Sequence, residues 1–371
     1  MAVDVGKKRR NGELDILRLF FAIAIMFYHV DKADRIREGF FANGWFAVEY
    51  FFVLSGLLLA RHAFAVRERY LTEGKTDAEA LVRDIPSEVC RYTLKKAAYF
   101  YKYFIVTLII FFGMQIANQV SLYGGKTAVT QAYKRIVDSI PHFLLIDEPL
   151  HKQGSLYVTG NWYLSVLVVA TFILYALILR YGRSFTVLVC PVASLFLTGY
   201  ITSAAGSFHP VHAGSVSFGF LRGLAEMCMG ACMYELSAVI KDKVGDKRGS
   251  RVLVTVVKYL LFVGIMLFAL GAIDEAYAVS FYLMAAIAVC LSYSGAGYGI
   301  AGNVITDHAG KISLIIYLVH GLVLYEMQHV STDSGTKYSL IYASAVIIGA
   351  EILFFLVNFI VKCIFSKRKN A

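Results

Sequence analysis

Proline is scarce in this chain, with five residues among 371. Because proline breaks helices, its scarcity leaves long stretches able to form uninterrupted helix. Polar residues are also few, since 58% of the chain is hydrophobic and the mean hydropathy is +0.62. A soluble domain rarely reaches that apolar fraction. The composition therefore excludes an ordinary soluble protein and indicates a membrane protein built mainly of helices.

Cysteine motifs are absent as well. The six cysteines show no zinc-type spacing, and Cys228 and Cys232, one helical turn apart, are explained as small packing residues. The sequence therefore predicts neither a disulfide framework nor a metal site. It also lacks a tandem repeat, a low-complexity tract and a second soluble domain, so residues 1–371 are predicted to form one domain. No cleavage site follows the basic amino-terminal residues, so we expect the first helix to stay.

The net charge of +10 does not indicate nucleic-acid binding. The lysines and arginines cluster between hydrophobic runs and do not alternate with aromatic residues on a soluble face. Lipid headgroups and membrane topology require this distribution. We therefore expect the lipid bilayer and anionic substrates as partners, and no nucleic acid.

The apolar runs predict an all-α, polytopic membrane protein with about ten transmembrane helices. The predicted spans are residues 14–33, 44–62, 97–117, 160–180, 184–203, 217–240, 252–272, 277–297, 312–330 and 338–362. If the amino terminus lies inside, the cytoplasmic segments carry 24 lysines and arginines, the external segments carry 8, and four fall within spans. This bias predicts two cytoplasmic termini in a plasma or inner membrane.

Two long segments separate the predicted spans. Residues 61–96 are basic and are predicted to form a cytoplasmic loop, part of which has the amphipathic character of a segment lying along the inner surface. Residues 118–159 are predicted to form an external loop. Within it the stretch "IPHFLLIDEPL" is apolar but too short to span, which indicates re-entrant or interfacial packing.

An arginine and a histidine lie inside the first span, in the stretch "RLFFAIAIMFYH". Arg18 and His29 are 11 residues apart, so they share one helix face with about 16 Å between them. Snorkelling of Arg18 beside Asp15, and a His29 bonded to a backbone carbonyl, are the structural alternatives. Together the two residues indicate a lined channel, because arginine binds phosphates and histidine serves as a general base. Acetyl-coenzyme A has a phosphate end and a reactive end that fit this spacing.

The second span contains "GWFAVEYFFVLSGLLL". Glu49 is a candidate catalytic carboxylate that would orient the imidazole of His29, and an interfacial carboxylate is the alternative. Ser55 is a pocket candidate, although close helix packing explains the pair Ser55 and Gly56 more simply than a nucleophile does.

Later spans contain further candidates. Arg222 and Glu226 are four residues apart and are predicted to pair, with Arg222 also a candidate for donor binding. Trp162, Tyr317 and His320 are candidates for the acceptor pocket. An aromatic belt explains Trp162 equally well, and a packed, hydrogen-bonded core histidine explains His320.

Five fragments in register resemble acyltransferase family 3, which are integral membrane O-acyltransferases that mostly acetylate cell-surface sugars. The fragments cover almost the whole chain and read "LDILRLFFAIAIMFYH", "GWFAVEYFFVLSGLLL", "NWYLSVLV", "LRGLAEMCMG" and "SLIIYLVH". The first is similar to the family motif of an arginine, ten residues and a histidine, which falls on Arg18 and His29. The resemblance implies a ten-helix domain, a catalytic His29, and an Arg18 that supports the donor or the histidine.

One departure from the family concerns the start of the third helix, where members carry a pattern similar to RRxxRIxP. This chain has "KKAAYFYK", which keeps Lys95 and Lys96 but places Tyr99 and Lys102 where arginine and proline are common. Positive charge is partly retained and the bidentate arginine fork is lost. Lys95 and Lys96 are therefore candidates for donor binding in an altered setting.

The sequence predicts an O-acyltransferase, most simply an O-acetyltransferase. Acyl-CoA would be a co-substrate, with no permanently bound cofactor, and a cell-surface or lipid-linked carbohydrate would be the acceptor. His29 would deprotonate the acceptor hydroxyl or carry the acyl group itself, and both routes are open. The acceptor, the acyl group and the oligomeric state are not fixed by the sequence.

Two alternatives come from other classes of protein. The buried ionisable residues would also suit a secondary transporter with an Arg, Glu and His relay, although the inverted repeats of many transporters are not evident. A non-catalytic scaffold for polysaccharide assembly is the third possibility. Turnover without a gradient separates the enzyme from the transporter.

Overall fold

The computed structural model describes residues 11–31, 40–72, 78–123, 125–150, 162–208, 212–213, 216–327, 330 and 334–369. Its helices in chain order are α1 (Gly12–Asp31), α2 (Ala47–Thr72), α3 (Ala78–Tyr123), α4 (Gly125–Asp138), α5 (Ile140–Phe143), α6 (Trp162–Tyr181), α7 (Cys190–Ala205), α8 (Phe218–Val244), α9 (Arg248–Ala269), α10 (Ala278–Ser294), α11 (Val304–Met327) and α12 (Gly335–Lys369). Short 3₁₀ turns at Gly44–Phe46 and Glu275–Tyr277 precede α2 and α10, and a π-helical turn at Phe185–Val189 precedes α7. A two-residue hairpin pairs β1 (His212–Ala213) with β2 (Val216–Ser217).

The predicted fold class is confirmed. Among the described residues, nine helical segments are long and apolar enough to cross a membrane. They coincide with the second to tenth predicted spans. Helix α1 is the tenth, at 20 residues, and it differs from the others because Glu13, Asp15 and Arg18 fall in its first two turns. The chain is thus a multi-pass, all-α membrane protein.

Helix α1 begins at a capped end and continues without a break. The side-chain oxygen of Asn11 accepts hydrogen bonds from the backbone N–H groups of Glu13 at 3.1 Å and Leu14 at 3.3 Å. The helix then runs uninterrupted to its last residue. This continuity preserves the three-turn separation of Arg18 and His29 on one face.

Helices α2 and α8 run parallel and touch through their backbones. A Cβ atom at Gly56 would lie 2.0 Å from the carbonyl oxygen of Met227, and one at Gly230 would lie 1.9 Å from the carbonyl oxygen of Val53. Only glycine permits such an approach at these positions. The sequence predicted close helix packing at Ser55 and Gly56, and the structure shows this contact at Gly56.

Helices α1 and α11 form a second parallel pair. At one end the N–H of Gly12 donates to the carbonyl of Ile300 at 3.0 Å. At the same end His308 on α11 pairs with Glu351, near the middle of α12, at 2.7 Å. The last turns of α12 therefore lie at the end of the bundle where α1 begins, as an even number of spans requires. Which end faces the cytoplasm stays a prediction.

Residues 61–96, predicted to form a basic loop, are helical wherever the structure describes them. Helix α2 continues to Thr72 and α3 begins at Ala78, with 73–77 outside the described residues. An apolar stripe at helical spacing supports the start of α3, formed by Leu81, Ile85, Val89 and Tyr92. The ring of Tyr92 stacks on that of His62 at 4.4 Å. The amphipathic character that the sequence indicated for part of this segment is therefore present as a helix.

Residues 118–159, predicted to form an external loop, also contain helix. Helix α3 extends to Tyr123, and α4 and α5 follow, while residues 151–161 lie outside the described part of the chain. The side chain of Arg135 on α4 donates to that of Gln115 on α3, which fastens the two helices together. The segment is therefore largely a helical hairpin followed by a packed turn.

The stretch 140–150 contacts the bundle mainly through polar side chains, while Ile140, Leu144 and Leu150 are exposed. His142 and Asp147 are both buried, and their side chains pair at 2.9 Å between Nδ1 and Oδ2. The backbone N–H of Glu148 donates to the hydroxyl of Ser165 on α6 at 3.2 Å. These contacts hold the stretch against the beginning of α6.

Candidate active site

Two histidines meet where α1 and α11 lie side by side. The rings of His29 and His320 are stacked, with centroids 5.1 Å apart and planes 21° apart. His320 is fully buried, and His29 is half-buried. The structure thus brings the predicted catalytic histidine together with a predicted pocket residue.

The hydrogen bonds of His320 identify its donor nitrogen. Its Nδ1 lies 2.5 Å from the carbonyl oxygen of Tyr317, so Nδ1 is the donor. Among the described residues its buried Nε2 has no hydrogen-bond partner. The hydroxyl of Tyr342 donates to the carbonyl of His320 at 3.1 Å and lies 3.4 Å from that of Met26. The ring is therefore held through Nδ1 and the backbone of its own helix.

A row of aromatic rings connects the histidine pair to α6. The ring of Tyr317 lies 5.6 Å from that of His320 and 5.6 Å from that of Tyr163. Tyr163 is 4.5 Å from Phe52, which is 6.1 Å from Trp162. The predicted pocket residues Trp162, Tyr317 and His320 are therefore parts of one continuous row.

Ser55 lies beside this aromatic row. The phenol of Tyr163 forms a hydrogen bond with the Ser55 side chain. Because Ser55 precedes the contact between Gly56 and α8, it has the packing position that its sequence context favours. Its described hydrogen bond is with Tyr163, and the pocket role predicted for Ser55 stays a prediction.

A buried ionic cluster stands at the far end of the row. The guanidinium of Arg222 pairs with Glu49 at 2.7 Å and with Glu226 at 3.3 Å, and its centre lies 5.3 Å from the ring centroid of Trp162. The predicted pair of Arg222 and Glu226 is thus present. Among the described residues, the second carboxylate oxygen of each glutamate has no hydrogen-bond partner. Two carboxyl groups therefore share one guanidinium.

This cluster gives Arg222 two buried carboxylate partners, Glu49 and Glu226. The donor-binding role predicted for Arg222 stays a prediction. The partner could not be inferred from sequence because Glu49 lies on a different helix. The role of Glu49 in orienting His29 stays a prediction, and the ion pair described for it is with Arg222.

A cavity of about 750 Å³ opens at the end of the bundle where α1 begins. We call it the basic cavity. Its charged lining residues are Glu13, Asp15, Arg18, Arg61, Lys241 and Lys258. Arg18 pairs with Asp15 at 3.1 Å and keeps 27% of its side chain accessible. The snorkelling partner foreseen for Arg18 is therefore present, and Arg18 also faces an open volume.

One wall of the basic cavity is a hydrogen-bonded cluster around Glu13. Its carboxylate accepts from Lys258 at 2.6 Å, Tyr259 at 2.7 Å, Ser292 at 2.7 Å and the backbone N–H of Ile300 at 3.1 Å. Sequence reasoning missed this cluster, although a lysine inside an apolar span was the available signal.

The lysines of α3 lie apart from the basic cavity. Neither Lys95 nor Lys96 is among its lining residues. Lys95 is exposed, whereas Lys96 points towards α6 and donates to the hydroxyl of Thr171 at 3.2 Å. The charge of Arg18 reaches Lys96. The donor-binding roles predicted for Lys95 and Lys96 stay predictions.

Near Trp162, the carboxyl group of Glu148, which lies outside the spans, connects the stretch 140–150 to the start of α8. The carboxyl of Glu148 accepts a hydrogen bond from the Ser217 hydroxyl at 2.7 Å. The pKa of the Glu148 carboxyl is raised to about 7. Burial is the main cause, the hydrogen bond from Ser217 opposes the increase, and the charge of Asp147 adds to it. A Cβ atom at Gly219 would lie 2.8 Å from Oε1 of Glu148, so the two residues are in close contact. The stretch 140–150 is therefore locked onto the start of α8.

Comparison with known proteins gives one match. A family model for an acyltransferase domain, that of acyltransferase family 3, matches residues 11–365. No curated protein and no solved structure matches the chain. The matched region contains Arg18, His29 and His320, together with all the helices of the bundle. The chain therefore belongs to acyltransferase family 3 and is a membrane acyltransferase.

Proposed function

We propose that the protein is an O-acyltransferase that moves an acyl group, most simply acetyl, from acyl-CoA to a hydroxyl of a cell-surface or lipid-linked carbohydrate. The observation that supports this best is the stacked pair of His29 and His320, three turns along α1 from an arginine that faces a cavity. Phosphate-binding and proton-accepting groups thus stand on one helix face at the spacing that a CoA thioester needs.

The chemistry of the direct route is simple. An imidazole nitrogen of His29 takes the proton of the acceptor hydroxyl, and the oxygen attacks the thioester carbonyl. The carbon–sulfur bond breaks, and the departing thiolate takes the proton from the imidazolium to give free CoA. The ring of His320 lies beside that of His29 and is itself held through Nδ1 by the carbonyl of Tyr317.

The covalent route uses the same residues. His29 attacks the thioester, CoA leaves as the thiolate, and the acceptor hydroxyl then removes the acyl group from the imidazole. Acyl-histidine trapped from acetyl-CoA in the absence of acceptor would favour this route. A donor-loaded, competent enzyme without that adduct would favour direct transfer.

Donor and acceptor would approach from opposite ends. Arg18 and Lys96 are interior cations near one another, and Lys96 is bonded only to a hydroxyl among the described residues. They suit the anionic donor. At the other end, the aromatic row that ends in Trp162 and the closing stretch 140–150 suit the flat faces of sugar rings. The membrane would be the plasma or inner membrane.

Mass spectrometry of surface glycans tests this proposal. Cells that express the wild-type chain should carry acyl groups on a glycan that cells without the protein, or with His29→Ala, do not acylate. Equal glycan acylation in wild-type and His29→Ala cells, with none in cells without the protein, would contradict the catalytic role of His29 and support a scaffold. Identical acylation in all three would show that the protein does not acylate that glycan. Glycans that stay unmodified while a lipid or a small metabolite gains the acyl group would overturn the carbohydrate acceptor and keep the acyltransferase.

A further inference from the structure

We propose that the outer surface of α3 and α12 binds the phosphate of an anionic phospholipid, with Lys102 and Lys362 as its phosphate ligands. We call this surface the lysine patch, and its residues are Tyr99, Lys102, Asn358 and Lys362. None of the four lines the basic cavity. The patch is therefore a separate site, and it does not depend on the proposed reaction.

Lys102 is a charged residue inside a membrane span. It lies in the apolar helical segment Leu81–Asn118, and within the described part of the chain no carboxylate pairs with it. Its Nζ donates one hydrogen bond, to the side-chain oxygen of Asn358 at 3.0 Å. An ammonium group has three donors, so two of them can take a ligand. A charge in a span is costly unless it has a partner, so an anion from outside the chain is expected here.

The contacts around Lys102 place its charge at the edge of the bilayer. The neighbouring Tyr103 also donates to Asn358, at 3.1 Å, and its ring lies 6.5 Å from that of Phe354. Phe354 lies 5.4 Å from the ring of His308, in the first turns of α11. Asn358 is one turn beyond Phe354 towards the end of α12. The lysine stem thus brings its ammonium group to the depth of the headgroups.

Other groups in the lysine patch match this depth. The ring centroids of Tyr103 and the exposed Tyr99 lie 4.6 Å and 5.8 Å from Nζ of Lys102, and tyrosine is enriched at membrane interfaces. Lys362 is exposed and stands one turn beyond Asn358 on the same face of α12. Among the described residues it has no carboxylate partner either. Two lysines that no acid balances favour an anionic lipid headgroup.

The surface next to the lysine patch suits acyl chains. Ile109 and Ile110 follow Lys102 on α3 by about two turns, and both are exposed. Phe355, also exposed, precedes Asn358 on α12. Because α3 and α12 run in opposite directions, these apolar side chains all lie towards the middle of the bilayer. A cationic level bordered by an exposed apolar surface fits a phospholipid better than a free phosphate.

Native mass spectrometry of the purified full-length protein in detergent tests this site. The probes are phosphatidylglycerol and phosphatidylcholine with the same acyl chains, which share the phosphate and differ in net charge. We expect the wild type to retain phosphatidylglycerol in preference. Lys102→Gln/Lys362→Gln should reduce that preference at least about fivefold, since one lysine near an anionic lipid surface contributes about that factor.

A matched control removes the same charge elsewhere. Arg180→Gln/Lys243→Gln changes two exposed cations of α6 and α8 and should keep the wild-type preference. Lys102→Arg keeps the positive charge and should keep the preference as well. If the Lys102→Gln variants do not fold, Lys362→Gln decides, because this exposed side chain bonds to no described residue. Lys362→Gln alone should still lower the preference.

An unchanged preference in the variants of the lysine patch, or an equal loss in the control, would overturn the site. Glycerol 3-phosphate as a competitor separates a lipid from a soluble phosphate. It should displace phosphatidylglycerol no better than sodium sulfate does at the same ionic strength. Specific displacement would assign the lysines to a soluble phosphate and overturn the lipid site. Acyl transfer is not measured in these experiments, so their outcome and that of the proposed function are independent.

Discussion

The imidazole of His29 lies against that of His320, with ring centroids 5.1 Å apart. The two residues come from opposite ends of the chain and meet because α1 and α11 run side by side in the same direction. The hydroxyl of Tyr342, between the carbonyls of Met26 and His320, adds α12 to this contact. The candidate catalytic centre is therefore a joint between three helices, and its geometry depends on their packing.

Substitution of His320 should lower activity without unfolding the protein. His320→Ala removes the stacked ring and the free Nε2, so we expect acyl transfer to fall by about tenfold or more, a part of the ~10²–10⁴ that a positioned acid–base group supplies. His308→Ala is the control, since His308 is on the same helix but pairs with Glu351 at the other end. Initial rates with acetyl-CoA check this. Equal rates in the two variants would show that His320 is only a packing residue.

Alanine at Gly56 should destabilise the bundle. Its Cβ would lie 2.0 Å from the carbonyl oxygen of Met227, which forces α2 away from α8 and costs about 1–3 kcal/mol. Gly113 is the matched control, because nothing lies within 4 Å of a Cβ there and helix propensity favours alanine. Thermal unfolding in detergent should show a lower midpoint for Gly56→Ala and an equal or higher one for Gly113→Ala. A tolerated Gly56→Ala would contradict the described contact.

Removal of the Arg222 guanidinium from the ionic cluster should destabilise the fold, and removal of a neighbouring carboxyl should restore part of the lost stability. Arg222→Gln leaves Glu49 and Glu226 buried without a cation, which we expect to destabilise the fold by about 3–5 kcal/mol. The double variant Glu49→Gln/Arg222→Gln should recover part of this loss, because one uncompensated carboxyl is gone. Thermal midpoints of Arg222→Gln, Glu49→Gln and the double variant give the coupling. Additive effects of the two substitutions would refute the shared cluster.

The stretch 140–150 should loosen as the pH rises. Burial raises the pKa of Glu148 to about 7 from 4.5, so the folded state binds the proton more tightly than the unfolded state does. The packing is therefore most favourable below pH ~4.5 and loses up to about 3 kcal/mol as the pH passes ~7. Hydrogen exchange of this stretch, corrected for intrinsic rates, should increase from pH 5 to pH 8 in the wild type.

Two variants identify the group responsible for this pH dependence. Glu148→Gln keeps an acceptor for the hydroxyl of Ser217 and should exchange equally at both pH values. Glu275→Gln, which changes an exposed carboxyl elsewhere, should behave as the wild type does. Retained pH dependence in Glu148→Gln would assign the effect to another group, of which the pair of His142 and Asp147 is the nearest.

The sequence was sufficient wherever the signal lies within one helix. Apolar density gave the ten spans, residue spacing gave the shared face of Arg18 and His29, and the i, i+4 rule gave the pair of Arg222 and Glu226. The same density missed the helical starts and ends in 61–96 and 118–159. Part of 61–96 was predicted to be amphipathic, and the structure shows that part as helix.

Contacts between distant helices were beyond the reach of the sequence. Nothing near Glu49 indicates Arg222 as its partner, and nothing near Lys258 indicates Glu13, because both pairs depend on how parallel helices are ordered in the bundle. The donor-binding roles predicted for Lys95 and Arg222 depend on the same packing and stay predictions. Each is a cation at a depth in the membrane that would suit a donor phosphate. Helix packing determines which cations are exposed, which are paired with carboxylates and which face the cavity.

Turnover of acetyl-CoA by purified protein, without any gradient, tests the central claim most directly. Full-length wild-type protein in detergent, supplied with a glycan extract, should release free CoA and acylate the acceptor or water. His29→Ala should reduce that rate by about 10²–10⁴, with an unchanged thermal midpoint. A folded wild-type protein that releases no CoA, or a His29→Ala variant as fast as the wild type, would contradict the account.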